Sequence, residues 1–180
     1  MILVVGAIGQ EVAGARDRAK LLACGVGPVE AAIATAKEII KERPRAVVNV
    51  GLAGARRGSC IDVLDVVVGT EAVYCDLYPR FSASRLTPDP DLLKAAREAL
   101  PEARFLPIGT TASVGGSSKV EVEAMDGFSV LRAAQLAALQ ALELRVIYNE
   151  VEEPSRSNWH IDDGLFVLAI ATRQLIEKLT

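Results

Sequence analysis

Short apolar runs and longer mixed segments alternate along this chain. Ile2–Val5 is a wholly apolar run closed by Gly6, the pattern of a buried parallel strand. Lys20–Cys24 is a second short run. It enters Gly25-Val26-Gly27-Pro28 and then a helical periodicity from Val29 to Lys41, with Pro28 suited to the first turn. Ala46–Val50 predicts a third buried strand, released into Gly51-Leu52-Ala53-Gly54-Ala55. Val63–Tyr74 is β-branched and strand-like, and Gly69 suggests a bulge or bend within it. Asp76–Asp91 reads as a loop, because Pro79, Pro88 and Pro90 break regular structure. A helix over Asp91–Leu100 and a strand over Ala103–Ile108 follow, then a glycine- and hydroxyl-rich loop from Gly109 to Gly116. Val120–Glu123 alternates apolar and acidic residues, as a short half-buried strand does. Asp126 stands where an N-cap is expected, opening a helix to about Leu139. Glu143–Ile147 is the next strand, ending at Tyr148-Asn149 and a polar loop that carries Arg156 and Trp159. Asp162–Leu179 predicts a terminal amphipathic helix.

Strands alternating with helices define an α/β fold, expected here as one domain over residues 1–180. In such sheets ligands sit outside the carboxyl ends of strands. Those ends carry Glu11, the 52–54 turn, the loop with Ser113 and Val114, Met125-Asp126, and Tyr148-Asn149. Arg145 interrupts an apolar strand, and a buried arginine needs a carboxylate partner. Glu123 and Glu11 are the candidates. The Gly25–Pro28 turn lacks both the Walker lysine pattern and the full dinucleotide fingerprint, which disfavours a phosphate loop or a dinucleotide site.

Composition narrows the function. The chain has 180 residues and a net charge of −3, so it offers no basic footprint for nucleic acid. No uncharged stretch approaches the ~20 residues of a membrane span. The N-terminal apolar run is too short for a signal peptide, so a cytoplasmic location is expected. Three widely spaced cysteines show no metal-ligand spacing. His160 is the single histidine, so a multi-histidine metal site is excluded and a Ser–His–Asp triad could run only through it. No metal and no cofactor are expected.

Five segments in order, GAIGQEV, GVGPVEAA, VNVGLAGA, VEVEAMDGFSVLRAA and LRVIYNEVEEPSRSNW, resemble the purine nucleoside phosphorylase and nucleosidase superfamily. Within it they are similar to the futalosine hydrolase family of menaquinone biosynthesis. The resemblance spans nearly the whole chain. It implies a three-layer fold, a central mixed sheet flanked by helices, that cleaves the N-glycosidic bond of a purine nucleoside. It gives Glu11 the activation of water, and Asp126, with Met125 beneath the sugar, the ribose hydroxyls. The family usually has glutamate where this chain has Asp126, one methylene shorter, so Glu123 is a candidate helper. Asn149 falls where adenine-specific relatives carry aspartate. An amide offers both a donor and an acceptor to a 6-oxopurine, which implies hypoxanthine as the leaving base. Leu52, Ala53, Gly54, Ser113, Val114, Tyr148 and Trp159 match pocket-lining segments, with Arg145 behind Asn149. A homo-oligomer is also implied. A methylthioadenosine-type nucleosidase, a phosphorylase, and a nucleoside-binding protein with little catalysis are the competing readings.

Overall fold

The computed structural model describes residues 1–76, 84–115 and 118–180. Pro79 and Gly116, both assigned to loops from the sequence, lie outside the described residues. The strands are β1 (Ile2–Gly6), β2 (Lys20–Ala23), β3 (Ala46–Ala55), β4 (Val66–Tyr74), β5 (Arg85–Leu86), β6 (Arg104–Thr110), β7 (Val122–Ala124) and β8 (Gln140–Glu150). The helices are α1 (Pro28–Glu42), α2 (Pro90–Ala99), α3 (Gly127–Leu136) and α4 (Ile161–Leu179), with short 3-10 turns at Ala13–Ala15 and Arg156–Asn158. Helix starts follow local chemistry. Pro28 and Pro90 occupy first-turn positions, where a missing N–H costs nothing. The Asp89 carboxylate accepts from the amides of Asp91 and Leu92 at 3.0 and 3.2 Å.

The sheet is mixed, as expected, and part of it closes on itself. β3 runs parallel to β8, β8 antiparallel to β4, β4 parallel to β6, β6 parallel to β7, and β7 antiparallel to β3. These five strands form a ring. β1 and β2 extend it in parallel from the first half of β3, and β5 adds an antiparallel pair to β4.

Alternation along the strands explains the layers. Ile2 and Val4 of β1 pack with α2 and α4 residues such as Leu92, Leu168 and Leu175. Leu3 and Val5 point to the other face, toward Ile39 of α1 and Phe128 and Leu131 of α3. A strand buried on both faces therefore reads as a continuous apolar run. The ring has its own small interior of Ala53, Ala55, Val67, Ile108, Val122, Ala124 and Ile147.

The fold departs from the sequence reading in several places: β5 and the start of α2 lie within the stretch read as a loop over Asp76–Asp91, β6 runs on to Thr110, and α3 ends at Leu136. β3 does not stop at Val50 but continues to Ala55, because β8 stays paired along it and β7 takes Gly54 and Ala55 on the other side. β8 continues past Ile147 to Glu150. β7 is not half-buried: Val122, Glu123 and Ala124 are all buried.

Candidate functional site

A cavity of about 250 Å³ opens at the carboxyl ends of β1 and β7 and along the last residues of β3 and β8. Glu11, Leu52, Ala53, Gly54, Val114, Glu123, Met125, Asp126, Tyr148, Asn149 and Trp159 all line it. Ser113 is not among its lining residues; it is exposed, and its carbonyl accepts from the Thr111 hydroxyl at 2.9 Å. Thr111, Ala7, Ile8 and Val26 line the cavity as well.

Glu11 sits in the turn after β1 and is 7 % exposed. One carboxylate oxygen accepts from the amides of Ala7 and Ile8 at 2.7 and 3.2 Å, the other from the amide of Leu52 at 3.0 Å. The chain thus fixes this side chain from two strand ends. Burial and then the nearby charge of Asp126 push its pKa up; Arg145 and the Leu52 and Ile8 amides oppose this.

Asp126 holds the N-cap position of α3 but makes no side-chain cap. The reason is visible one strand away. The Thr110 hydroxyl of β6 accepts from the Phe128 amide at 2.8 Å, satisfying a donor that a capping residue would take. The Asp126 carboxylate is free to turn inward. One oxygen pairs with Arg145 at 3.0 Å and the other accepts from the Asn49 amide at 2.9 Å. Asn49 also donates to the Val5 carbonyl at 3.0 Å and accepts from Arg145. Arg145 reaches Glu143 at 2.9 Å.

Arg145 therefore has carboxylate partners, but they are Asp126 and Glu143, not Glu123 or Glu11. It stands behind Asp126 in this network rather than behind Asn149. Glu143 and Arg145 are two residues apart on β8, so both side chains leave the strand on one face. A Cβ on Gly127 would come within 2.0 Å of the Glu143 carboxylate, so glycine at the start of α3 makes room for this acid. Burial raises Glu143 to a pKa of about 7, with Arg145 opposing and Asp126 reinforcing.

Asn149 reaches the cavity through an irregularity. The β3–β8 register shifts between Ala53 and Gly54: Ala53 faces Ile147, but Gly54 faces Asn149. Tyr148 is the extra residue, and a one-residue slip changes which face a side chain takes. A Cβ on Gly54 would lie 2.9 Å from the Asn149 side-chain amide oxygen. Asn149 is 2 % exposed, and neither its amide nitrogen nor its oxygen has a partner among the described residues. Glu123, the β7 partner of Gly54, pairs with Arg56 and keeps its second oxygen buried without a partner.

The opposite wall is aromatic. The Tyr148 and Trp159 rings meet edge to face at 5.3 Å. The Trp159 indole N–H donates to the Glu153 carbonyl at 3.2 Å, and the Arg156 guanidinium lies 5.4 Å from the ring. Trp159 thus pins its own loop and forms cavity wall at once. His160 is exposed and lies 3.6 Å from Asp163 at the surface, so no triad runs through it. Among the described residues no cluster of three or more metal-ligating side chains occurs, and no helix is long and apolar enough to cross a membrane.

Two functional candidates escaped the sequence reading, Asn49 and Glu143. Each is a polar residue inside an apolar strand run. A buried polar side chain requires a partner, but a single polar residue in such a run does not show which partner it meets.

Fold and cavity together define an α/β protein with a pocket at its strand ends. The chain belongs to the phosphorylase superfamily, whose family model matches residues 3–179. It is 32 % identical over 189 residues to a futalosine hydrolase of Streptomyces coelicolor, covering 88 % of this chain and 79 % of that one. Its fold is similar to that of an S-adenosylhomocysteine nucleosidase from Streptococcus pyogenes solved with 5-methylthiotubericidin (TM-score 0.89, 18 % identity, 99 % and 97 % of the two chains). It is also similar to that of a futalosine hydrolase of Helicobacter pylori (TM-score 0.88, 16 % identity, 98 % and 97 %).

Proposed function

We propose that this protein is a nucleosidase that hydrolyses the N-glycosidic bond of futalosine, releasing hypoxanthine and dehypoxanthine futalosine in menaquinone biosynthesis. The observation that carries this reading is Asn149, a buried amide facing the cavity with both polar atoms unpaired. Leaving such groups unmade costs about 1–3 kcal/mol each, so the site is built for a ligand that supplies an acceptor and a donor. The 6-oxo edge of hypoxanthine supplies the oxygen, and the departing base supplies an N–H. The identity to a futalosine hydrolase supports the same substrate.

Glu11 takes a proton from the attacking water. Its raised pKa suits a base working near neutrality, and its three amide donors hold it in place. Asp126 accepts from the ribose hydroxyls. Asn49 and Arg145 fix its orientation, and an ionised carboxylate has lone pairs left for a diol. Met125 lies under the sugar, and Tyr148 and Trp159 cover the apolar part of the substrate. No arginine or lysine is among the described residues that line the cavity, which supports water rather than phosphate as the nucleophile. The protein acts in the cytoplasm as a homo-oligomer. The exposed apolar side chains Ile8 and Val26 at the cavity mouth, with Val29 and Ile33 beyond them, support covering by a second copy; light scattering on the purified protein tests this.

Incubation with futalosine, inosine and methylthioadenosine, with and without phosphate, tests the reaction. Phosphate-independent release of hypoxanthine from futalosine is expected. A strict phosphate requirement, or faster cleavage of methylthioadenosine, would overturn the reading.

A further inference from the structure

Gly54 is flanked on both sides by polar side chains. Its β8 neighbour is Asn149 and its antiparallel β7 partner is Glu123. Directly opposed residues in a ladder project to the same face. Val122 and Ala124, on either side of Glu123, point into the ring interior, so Glu123 points outward, into the cavity it lines. Glycine between the two adds no side chain of its own, so an amide and a carboxylate line the cavity on either side of it, with Val151 packed over the glycine.

Glu123 is 6 % exposed. Arg56 holds one of its oxygens, and Arg56 is itself braced by Glu152 at 3.2 Å. The other oxygen is buried and has no partner among the described residues. An ionised carboxylate can only accept hydrogen bonds. This buried, unpaired oxygen therefore calls for a donor.

We propose that Glu123 is a specificity-determining residue that reads the purine base from the side opposite Asn149. Its free oxygen accepts the N1–H of a 6-oxopurine. The N1 of a 6-aminopurine has a lone pair there instead and would face the carboxylate acceptor to acceptor. Asn149 and Glu123 together then distinguish the two purine classes at two adjacent ring positions. This gives Glu123 a role on the base rather than on the ribose, and it rests on the proposed 6-oxopurine substrate.

The test is calorimetric titration of hypoxanthine, 1-methylhypoxanthine and adenine into the protein, with Glu123→Gln as the variant. Wild type should bind hypoxanthine about tenfold or more tighter than 1-methylhypoxanthine, the scale of one buried hydrogen bond left unmade. In Glu123→Gln the Arg56 contact keeps the amide oxygen and leaves the NH₂ facing the base. Hypoxanthine should then weaken by about tenfold and adenine should gain on it. Equal wild-type affinity for hypoxanthine and 1-methylhypoxanthine overturns the role of Glu123, whatever the variant does. If futalosine is still cleaved in that case, the hydrolase reading stands by itself. If wild type binds neither base and cleaves no futalosine, both fall.

Discussion

Asn149 turns a strand irregularity into chemistry. The slip at Tyr148 sets it opposite Gly54, whose missing Cβ makes room for the Asn149 side-chain oxygen, 2.9 Å from where that Cβ would lie. Replacing the amide by a carboxylate removes the donor while keeping the shape. For Asn149→Asp we expect the ratio of kcat/KM between a 6-oxopurine and a 6-aminopurine nucleoside to fall by about tenfold or more, the cost of a buried group facing the wrong partner. Steady-state assays on inosine and methylthioadenosine measure this, and an unchanged ratio would show that Asn149 does not read the base. Asn149 was legible as a polar residue released at the end of an apolar run. Asn49 and Glu143 were not, because single polar residues inside VVNV and ELRV look like tolerated interruptions of a core strand. Arg145, a charge inside an apolar run, needs an acid. Which acid depends on strand register and on Thr110 relieving Asp126 of capping, and neither is written in local sequence.

At the scale of elements, apolar periodicity located the strands and helices well but set their ends by turn chemistry. The Gly51–Ala55 segment contains two glycines and reads as a turn. In the fold it is strand, because β8 pairs along all of it and β7 takes Gly54 and Ala55 on the other side. Small residues there serve close approach rather than reversal. The same logic governs how α4 docks. Gly14, in the first 3-10 turn, has the backbone of Ala169 against it: a Cβ would lie 2.2 Å from that carbonyl oxygen. The obstacle is main chain inside a helix, so it cannot move like a side chain. Gly14→Ala should cost about 1–3 kcal/mol, as overpacking does, lowering Tm by roughly 2–12 °C. Gly9, a few residues earlier, has nothing within 4 Å of its Cβ position, so Gly9→Ala should stay within about 0.5 kcal/mol of wild type. Thermal melts of the two variants compare them directly. Equal melting temperatures would remove α4 docking as the reason for glycine at position 14.

For the molecule as a whole, the site concentrates charge inside the fold. Asp126 and Glu143 touch Arg145, and the charges of Glu11 and Arg145 are felt by one another. Three carboxyls around one guanidinium would leave two excess negative charges if all ionised, in a region removed from water. Holding a proton is cheaper than burying that charge. Glu143 is the fully enclosed one, and burial lifts it from the ordinary 4.5 to about 7. Between these values the folded protein binds a proton that the unfolded chain has released. Stability from this group is therefore complete below about pH 4.5 and is lost as pH rises through about 7. The loss amounts to a few kcal/mol at most, since each unit of displacement is worth ~1.4 kcal/mol. Glu143→Gln keeps the size of the side chain and removes the titration. Urea unfolding midpoints of wild type and Glu143→Gln, followed from pH 5 to pH 8, should diverge: wild type loses stability relative to the variant as pH rises. Every other carboxylate is common to both proteins, so the difference isolates this one. Profiles that stay parallel across that range would mean that Arg145 keeps Glu143 ionised throughout.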